Sequence, residues 1–375
     1  MKHTTMILMA MLSMVVLLLN CSSRQADNNI IVEDSVAVDS VVVVEPTEYS
    51  IMMMGDMVPA TLYPFTSERG HLPVKDGATL FDSVAPLLHR ADFAVGNMEG
   101  TLIDRSPDND KAVNSFSAFV FMIPTRYAQR FKDAGFSALA VINNHANDLT
   151  TPGIKSTRAT LRSIGLPYSG FSQDGGYTIV EKEGVKYALC AFGTSPNGYH
   201  IDDIDNACKI VAEADSVADI VVVSFHGGNE GSAARHVPRK REVFNNGLSR
   251  GDVYKFAHAC VDAGADVVFG HGPHVCRGME LYNDRVIAYS LGNFCTPVRM
   301  KITGINGYAP LLEVRVDGEG RFVGGKIHSF IQRRGDGPIP DTTYAAARDI
   351  RALSIADFPE SGLAISEEGV LTETE

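Results

Sequence analysis

The chain has 375 residues, of which 45% are hydrophobic, enough apolar material for one large domain or two smaller ones. Its 45 acidic residues outnumber the 33 lysines and arginines and give a formal net charge of −12. Lysine and arginine form no cluster of the kind that contacts phosphate backbones, so the composition disfavours a nucleic-acid-binding protein.

The first residues predict a targeting segment. Lys2 and His3 precede an apolar stretch over 6–19, which is too short to span a bilayer comfortably and is typical of a signal peptide. The stretch ends in Leu-Asn-Cys, which resembles the cleavage box of a bacterial lipoprotein with Cys21 as the lipidated residue. An ordinary secretory peptide with an incidental cysteine is the alternative.

This interpretation places a lipoprotein-type signal peptide over 1–21 and a flexible tether over 22–48. A valine run at 41–44 could instead pair as an edge strand. By resemblance to lipoproteins, Ser22 favours sorting to the outer membrane of a Gram-negative cell. We therefore expect an exported, membrane-anchored lipoprotein of the outer membrane or cell surface.

From residue 49 onward, segments typical of strands and of helices alternate, which predicts an α/β fold. The predicted strands are 49–54, 93–95, 138–142, 177–181, 186–192, 220–225, 267–269, 277–282 and 285–291. The predicted helices are 79–90, 124–134, 151–165 and 252–263. Beyond residue 298 we predict a hairpin of 311–316 with 322–330, a short helix near 343–353 and a frayed acidic end over 367–375.

Five cysteines follow Cys21, and no two of them have CxxC spacing. The spacing therefore indicates neither a thiol redox motif nor a zinc–thiolate site. We expect several of them to be small core hydrophobes. A single disulfide is compatible with an exported protein, but the sequence does not assign one.

Polar segments rich in glycine or asparagine follow several of the predicted strands. They carry Asp56, Asn97 with Glu99, the run 143–148, His226, and the pair His271 and His274. In α/β proteins the carboxyl ends of parallel strands build a ligand crevice. Carboxylate, carboxamide and imidazole groups are ligands for Mn, Fe or Zn, and no thiolate is in the set. The sequence therefore predicts a mono- or dinuclear metal site assembled from strand ends.

Each segment also has an ordinary structural alternative. Asp56 could cap a helix, and the asparagines at 143–144 could satisfy their own turn. An isolated buried histidine such as His226 is more often structural than a ligand. The metal site is favoured because all the segments lie at predicted strand ends.

Taken in order, the segments resemble the motifs of the bacterial capsule-synthesis CapA family, which is linked to poly-γ-glutamate capsules and is similar to calcineurin-like metallophosphoesterases. The resemblance lies in residues 55–56, 97–100, 143–148, 224–230, 264–274 and 287–294. It implies a metallophosphoesterase-like four-layer α/β/β/α sandwich over 49–298. A C-terminal extension over 299–375 would add strands that complete the sandwich and a short helix.

The resemblance also implies roles for individual residues. The implied ligands of one or two divalent metal ions (Mn, Fe or Zn) are Asp56, Glu99, Asn144, His226, His271 and His274. His145 would be the catalytic acid or charge stabiliser, and Asn97 and Asn293 would bind substrate.

Three positions differ from the residue patterns of the protein families that the chain resembles. Val58 stands where the phosphoesterase pattern has a histidine, and Glu99 stands where it has an aspartate. Gly272 stands where CapA-type proteins commonly have a further histidine. One metal position is therefore expected to be weakened or absent.

We expect a lipid-anchored protein of capsule polymer synthesis or processing, acting as a metal-dependent hydrolase. Its expected partners are an envelope or capsule polymer, the membrane through the lipid anchor, and membrane proteins of capsule assembly. The alternative is a non-catalytic envelope scaffold or polymer-binding protein that retains the fold. A phosphatase unrelated to capsule is a third interpretation.

Overall fold

The computed structural model describes residues 48–63, 71–105, 119–244 and 247–374. The expected signal peptide with Cys21, and the tether up to residue 47, lie outside the described residues. All described residues belong to one compact unit, 46–375. Within the described ranges, no helix has the length and apolar character needed to cross a membrane.

In the part of the chain that the structure describes, runs of apolar and β-branched residues form two large sheets and three short strand pairs. In chain order the strands are β1 (Tyr49–Met57), β2 (Phe93–Met98), β3 (Thr101–Leu102), β4 (Met122–Ile123), β5 (Ala138–Ala140), β6 (Tyr168–Ser169), β7 (Tyr177–Lys182), β8 (Val185–Phe192), β9 (Ile220–His226), β10 (Glu242–Val243) and β11 (Ser249–Gly251). They continue with β12 (Val267–His271), β13 (Met279–Tyr282), β14 (Arg285–Ala288), β15 (Asn293–Cys295), β16 (Leu311–Val316), β17 (Phe322–His328), β18 (Phe330–Arg333), β19 (Asp336–Pro340), β20 (Leu363–Ile365) and β21 (Val370–Glu373).

In the sequence the helices alternate with strands, and each helix buries one apolar face. They are α1 (Ala85–Leu88), α2 (Tyr127–Ala134), α3 (Thr150–Ser163), α4 (Ile204–Asp215), α5 (Val253–Asp262) and α6 (Ala345–Asp357). The carboxylates of Asp203 and Asp252 cap α4 and α5 by accepting hydrogen bonds from backbone N–H groups of the first turn.

The first sheet has the order β20-β21-β17-β16-β1-β2-β5-β6, and β15 also pairs with β1. Strands β1, β2, β5, β6 and β15 are parallel, whereas β16, β17, β21 and β20 extend the sheet by antiparallel pairing. The second sheet has the order β13-β14-β12-β9-β8-β7, with antiparallel pairs only at its two ends. Each sheet therefore contains a run of parallel strands, and the carboxyl ends of the strands in each run lie at one edge of the sheet.

Three apolar clusters define the layers. On β1, Ile51 and Met53 face the second sheet, whereas Met52 and Met54 pack in the cluster that contains α1, α2 and α3. On β9, Val221 and Val223 pack against α4 and α5. The layers are thus helices, sheet, sheet and helices, so the predicted four-layer α/β/β/α sandwich is confirmed. The five described cysteines are free thiols, and all but Cys208 are buried in these clusters.

The helix predicted over 79–90 is wrong for its first half, since only Ala85–Leu88 is α-helical. Upstream of it, the N–H of Asp82 bonds to the carbonyl of Thr79 (3.4 Å) and the N–H of Val84 to that of Phe81 (3.0 Å). These are turns closed by hydrogen bonds between residues i and i+3. Pro86 has no N–H to donate to the carbonyl of Asp82, so a regular α-helix over 79–90 would lack a hydrogen bond at this position.

Beyond residue 298 the chain adds to the first sheet. Strands β16 and β17 form the hairpin predicted there, and β16 pairs along β1. The expected fraying of 367–375 is wrong, because Val370–Glu373 forms β21 and pairs with β17. Leu371 is 1% exposed, and its burial holds this acidic segment on the sheet.

Candidate metal centre

The carboxyl ends of the parallel strands of the two sheets meet at one place. In the first sheet, Asp56 on β1 is paired in register with Asn97 of β2 and Asn293 of β15. In the second sheet, His226 at the end of β9 lies opposite His271 at the end of β12. Asp56 Oδ1 lies 3.6 Å from His226 Nδ1, so the ends of both sheets contribute to a single site.

Gly55 allows the close backbone approach that places Asp56. A Cβ atom on Gly55 would lie 1.9 Å from the carbonyl oxygen of Gly292. The N–H of Asp56 donates to that same carbonyl at 2.8 Å. Glycine is therefore required at position 55 for β1 to approach the segment before β15.

The first group of candidate ligands consists of Asp56, His226 and His271, all of them buried. Asp56 Oδ1 lies 3.3 Å from His271 Nδ1, and the Nδ1 atoms of the two histidines are 3.0 Å apart. Ser224 Oγ lies 2.8 Å from His271 Nε2. When His271 Nε2–H donates to Ser224, its Nδ1 presents a lone pair to the group, which is the tautomer that a metal ligand needs.

The second group consists of Asp56, Glu99 and His274. Asp56 Oδ2 lies 3.1 Å from His274 Nδ1, and Glu99 Oε1 lies 3.9 Å from His274 Nε2. Asn293 Oδ1 lies 2.9 Å from His274 Nδ1. Asp56 belongs to both groups, and each of its oxygens faces one of them. The arrangement therefore has two candidate ion positions with one carboxylate in common.

Several buried polar atoms of the site have no hydrogen-bond partner among the described residues. They are both carboxylate oxygens of Glu99, Nε2 of His226 and Oδ1 of Asn144. A buried polar atom without a partner is costly, and such atoms are rare in folded proteins. A divalent cation would satisfy them, and carboxylate, imidazole and amide oxygen donors suit Mn, Fe or Zn. The residues present therefore fit a metal site.

The ionisation of these groups is strongly coupled. Burial opposes ionisation of Asp56, but the three surrounding imidazoles outweigh it and hold its pKa well below the usual range. Burial, together with the charge of Asp56, raises the pKa of Glu99 to about 7. Burial lowers the pKa of His226 to about 3, so its imidazole is neutral and able to ligate. His274 is also buried, but the charges of Glu99 and Asp56 prevail and raise its pKa to about 10.

His145 lies beside the second group. Its Nε2 is 4.0 Å from Glu99 Oε1, and its Nδ1 is 2.8 Å from Asp148 Oδ2. The ring of Phe121 lies over the imidazole with centroids 4.3 Å apart, and the N–H of Phe121 donates to Asp148 Oδ2. Burial opposes protonation of His145, but Asp148 and Glu99 outweigh it and raise the pKa of His145 above its ordinary value. This pair can hold a proton at Nε2, towards the candidate ligands.

Five of the six ligands implied by the resemblance form the two groups. The sixth, Asn144, donates from Nδ2 to Glu230 Oε1 at 3.4 Å. Asn97 donates from Nδ2 to Asp56 Oδ1 at 2.8 Å, and its own Oδ1 accepts a hydrogen bond from Asn143. The amides of Asn97 and Asn293 thus contact candidate ligands directly, and their role in substrate binding stays a prediction.

The structure explains one of the three departures. Gly272 has φ +114°, and a Cβ there would lie 3.1 Å from both His226 Nε2 and the carbonyl oxygen of Gly227. A histidine at position 272 would therefore be strained in this conformation. The N–H of Gly272 instead donates to Asp56 Oδ2 at 3.1 Å. Val58 is fully buried and offers no ligand atom.

Reasoning from the sequence did not assign roles to several residues of the site. Asp148 lies three residues after His145, a spacing that could have indicated an acid–base pair. Ser224 lies one strand period before His226 and could have been placed on the same face. Arg250 donates to the carbonyls of Gly228 (2.8 Å) and Gly272 (3.4 Å), and nothing in its sequence context indicated this contact.

Comparison with known proteins gives a consistent family assignment. The family model described as "Bacterial capsule synthesis protein PGA_cap" matches residues 50–297. The PGA biosynthesis protein CapA of Bacillus subtilis (strain 168) is 30% identical over 237 residues, which cover 59% of this chain and 57% of that protein. The capsule biosynthesis protein CapA of Bacillus anthracis is 28% identical over 235 residues, which cover 57% of this chain and 53% of that protein. The chain thus spans somewhat more than half the length of these relatives.

Among solved structures, the chain is similar to the calcineurin-like phosphoesterase YfkN from Bacillus subtilis. The TM-score is 0.43 at 14% sequence identity. The match covers 76% of this chain and 91% of that one.

Proposed function

The chain belongs to the bacterial capsule synthesis protein PGA_cap family, and we propose that it is a metal-dependent hydrolase that acts in the synthesis or processing of a capsule or envelope polymer. The observation that carries the proposal is the pair of ligand groups sharing Asp56, with His145 next to the second group. A purely structural cluster would not leave both oxygens of Glu99 buried and without a hydrogen-bond partner among the described residues.

The residues that would hold the ions are those of the two groups, Asp56, Glu99, His226, His271 and His274. When bound, a divalent cation supplies Lewis-acid polarisation of a substrate oxygen and activation of water at neutral pH. The chain's part is to fix the ligands. Ser224 orients His271, and Asn293 orients His274 through hydrogen bonds to their ring nitrogens.

His145 would act as the general acid. Asp148 accepts from Nδ1–H and so leaves the second proton of the imidazolium on Nε2, the nitrogen nearer to Glu99. The raised pKa of His145 favours the protonated ring, from which Nε2 can donate. Phe121 covers one face of the ring, which limits its rotation and its access to water. A leaving group beside Glu99, which is the ester oxygen of a phosphoester or the amine nitrogen of a γ-glutamyl amide, would accept the proton from Nε2.

The substrate class that we propose is an anionic polymer, such as a poly-γ-glutamate-like chain or an envelope glycan with phosphoester bonds. Membership of a capsule synthesis family supports a polymer substrate. The protein itself carries a net charge of −12, so attraction of a polyanion needs a local source of positive charge. Bound divalent ions would be that source.

The proposal is tested with the full chain, assayed on phosphodiesters, γ-glutamyl peptides and purified capsule polymer with Mn, Fe or Zn added. We expect metal-dependent turnover on at least one substrate and a loss of about 10²–10⁴-fold in kcat for His145→Gln, the range for removal of a general acid. The matched control is His236→Gln, since His236 is exposed and pairs with Asp357 at 2.6 Å. Turnover that needs no metal, or that survives His145→Gln unchanged, would contradict the hydrolase proposal.

We propose further that Cys21 carries a lipid and that the protein is exported to the outer membrane or cell surface. The apolar stretch over 6–19 that ends in Leu-Asn-Cys at Cys21 supports this proposal. Labelling cells with a radioactive or clickable fatty acid should mark the wild-type protein and not Cys21→Ser. A wild-type protein that stays unlabelled in the soluble fraction would overturn the anchor.

A second candidate function is a non-catalytic scaffold that binds polymer. Val58 favours it, because a buried valine occupies the position that has a histidine in the phosphoesterase pattern. In that case the capsule phenotype of a deletion strain should be restored equally well by the wild-type gene and by His145→Gln. Failure of His145→Gln to restore the capsule excludes the scaffold function.

A further inference from the structure

The side chain of Asn144 has two chemically different ends, and only one of them can ligate a cation. Its Oδ1 accepts, whereas its Nδ2 carries two protons and repels positive charge. In the structure Nδ2 donates to Glu230 Oε1 at 3.4 Å. Oδ1 is buried and has no hydrogen-bond partner among the described residues. The hydrogen bond to Glu230 therefore uses the NH₂ end of the amide and leaves Oδ1 available to bind a cation.

Glu230 is in turn held by Arg250. The distance from Glu230 Oε1 to Arg250 Nη2 is 3.2 Å, and the Arg250 side chain is 5% exposed. Arg250 Nε donates to the carbonyl of Gly228 at 2.8 Å, and Nη2 donates to that of Gly272 at 3.4 Å. These glycines follow the ligand histidines of β9 and β12. The Glu230 carboxylate, which orients Asn144, is thus positioned through Arg250 by the segments that follow the ligand histidines.

We propose that Glu230, braced by Arg250, is a positioning residue that fixes the Asn144 amide with its oxygen towards a divalent cation. This inference rests on the proposed metal-dependent function. Without the Glu230 carboxylate, the amide can rotate by half a turn about its last bond and present the NH₂ group instead. The opposite rotamer would place partial positive charge beside the ion and weaken its binding.

The test uses the symmetry of aspartate. In an Asn144→Asp variant both terminal atoms are oxygens, so rotation no longer matters. Cation affinity of the full chain is measured by calorimetric titration with Mn²⁺ and Zn²⁺ for the wild type, Glu230→Ala, Asn144→Asp and the double variant. Glu230→Gln is added because it keeps an oxygen that both Arg250 and Asn144 can donate to. Glu360→Ala removes an exposed carboxylate paired with Arg239 and is the control.

We expect Glu230→Ala alone to weaken cation binding at least about tenfold, the lower end of the effect of removing a residue that orients a ligand. Glu230→Gln should restore most of the affinity. In the Asn144→Asp background, Glu230→Ala should cause a much smaller loss, because aspartate presents an oxygen in either rotamer and only the attraction between the Glu230 charge and the cation is removed.

Equal weakening by Glu230→Ala in both backgrounds would show a merely structural role and overturn the inference. So would wild-type affinity in Glu230→Ala. A wild-type chain that binds neither cation would overturn the metal-dependent function and this inference with it, so the two failures are distinguishable. Thermal unfolding of each apo-protein verifies that the variants fold.

Discussion

Replacement of Arg277 by methionine should destabilise the protein strongly, although Arg277 is not in the ligand groups. The side chain is 0% exposed and forms a two-point ion pair with Glu242, with N–O distances of 2.8 and 2.7 Å. Arg277 also donates to the carbonyl oxygens of Ala234 (2.8 Å) and Asn229 (3.4 Å). It therefore secures the segment that presents Glu230 to the metal centre.

The size of the effect follows from what Arg277→Met leaves behind. Among the described residues, the N–H of Asn229 would be the one donor left to the buried Glu242, and removal of one member of a buried ion pair costs about 3–5 kcal/mol. Each main-chain carbonyl that loses its donor adds about 1 kcal/mol. We expect the free energy of unfolding to fall by about 5–7 kcal/mol, a large part of the ~5–15 kcal/mol of a typical protein.

The assay is urea unfolding of the apo-protein at neutral pH for the two single variants Arg277→Met and Glu242→Gln and for their combination. The double variant should recover about 2–3 kcal/mol relative to Arg277→Met, because no charge is then left buried. Arg126→Met is the matched control, since Arg126 forms a similar two-point pair with Asp76 at the surface and should cost less than about 1 kcal/mol. The reasoning is refuted if Arg277→Met costs no more than Arg126→Met.

Two further predictions concern the site itself. Asp148→Asn removes the anionic partner that raises the pKa of His145, so activity should be lost at a lower pH as the pH rises. The measurement is the pH–rate profile of the metal-loaded enzyme. An unchanged profile would contradict the role of His145 as the acid. Gly55→Ala would force a methyl group against the carbonyl of Gly292 and should lower the free energy of unfolding by at least about 1–3 kcal/mol and weaken cation binding. Gly318→Ala, where a Cβ meets no atom within 4 Å, is its control and should leave both quantities unchanged.

The sequence predicted the parallel strands of the sheets well, because periodicity and strand-end glycines are local signals. The strand predicted over 220–225 is β9, which continues through His226, and the helix predicted over 252–263 is α5, shorter by one residue at each end. Helix α4 was missed, although Ala207, Ile210, Val211 and Ala214 are buried at helical spacing and Asp203 caps its start. That signal was present in the sequence and overlooked.

Other features depend on contacts between residues that are far apart in the sequence, and local sequence patterns could not predict them. Strand β21 forms because part of the acidic C-terminal segment pairs with the edge of β17. For the site, the residue types at strand ends predicted convergence, but the sharing of Asp56 between two groups requires the relative placement of both sheets. The contact of Arg250 with two ligand loops likewise arises from the fold and has no sequence motif.

The central claim is that one carboxylate, Asp56, serves two ion positions. The most direct test is to load the full chain with Mn²⁺ or Zn²⁺, remove excess ions and measure the bound metal by elemental mass spectrometry. We predict bound metal of up to two ions per chain in the wild type, none in Asp56→Ala, and wild-type content in the surface control Asp317→Ala. A wild-type chain without metal, or an Asp56→Ala variant that retains the wild-type content, would contradict the account.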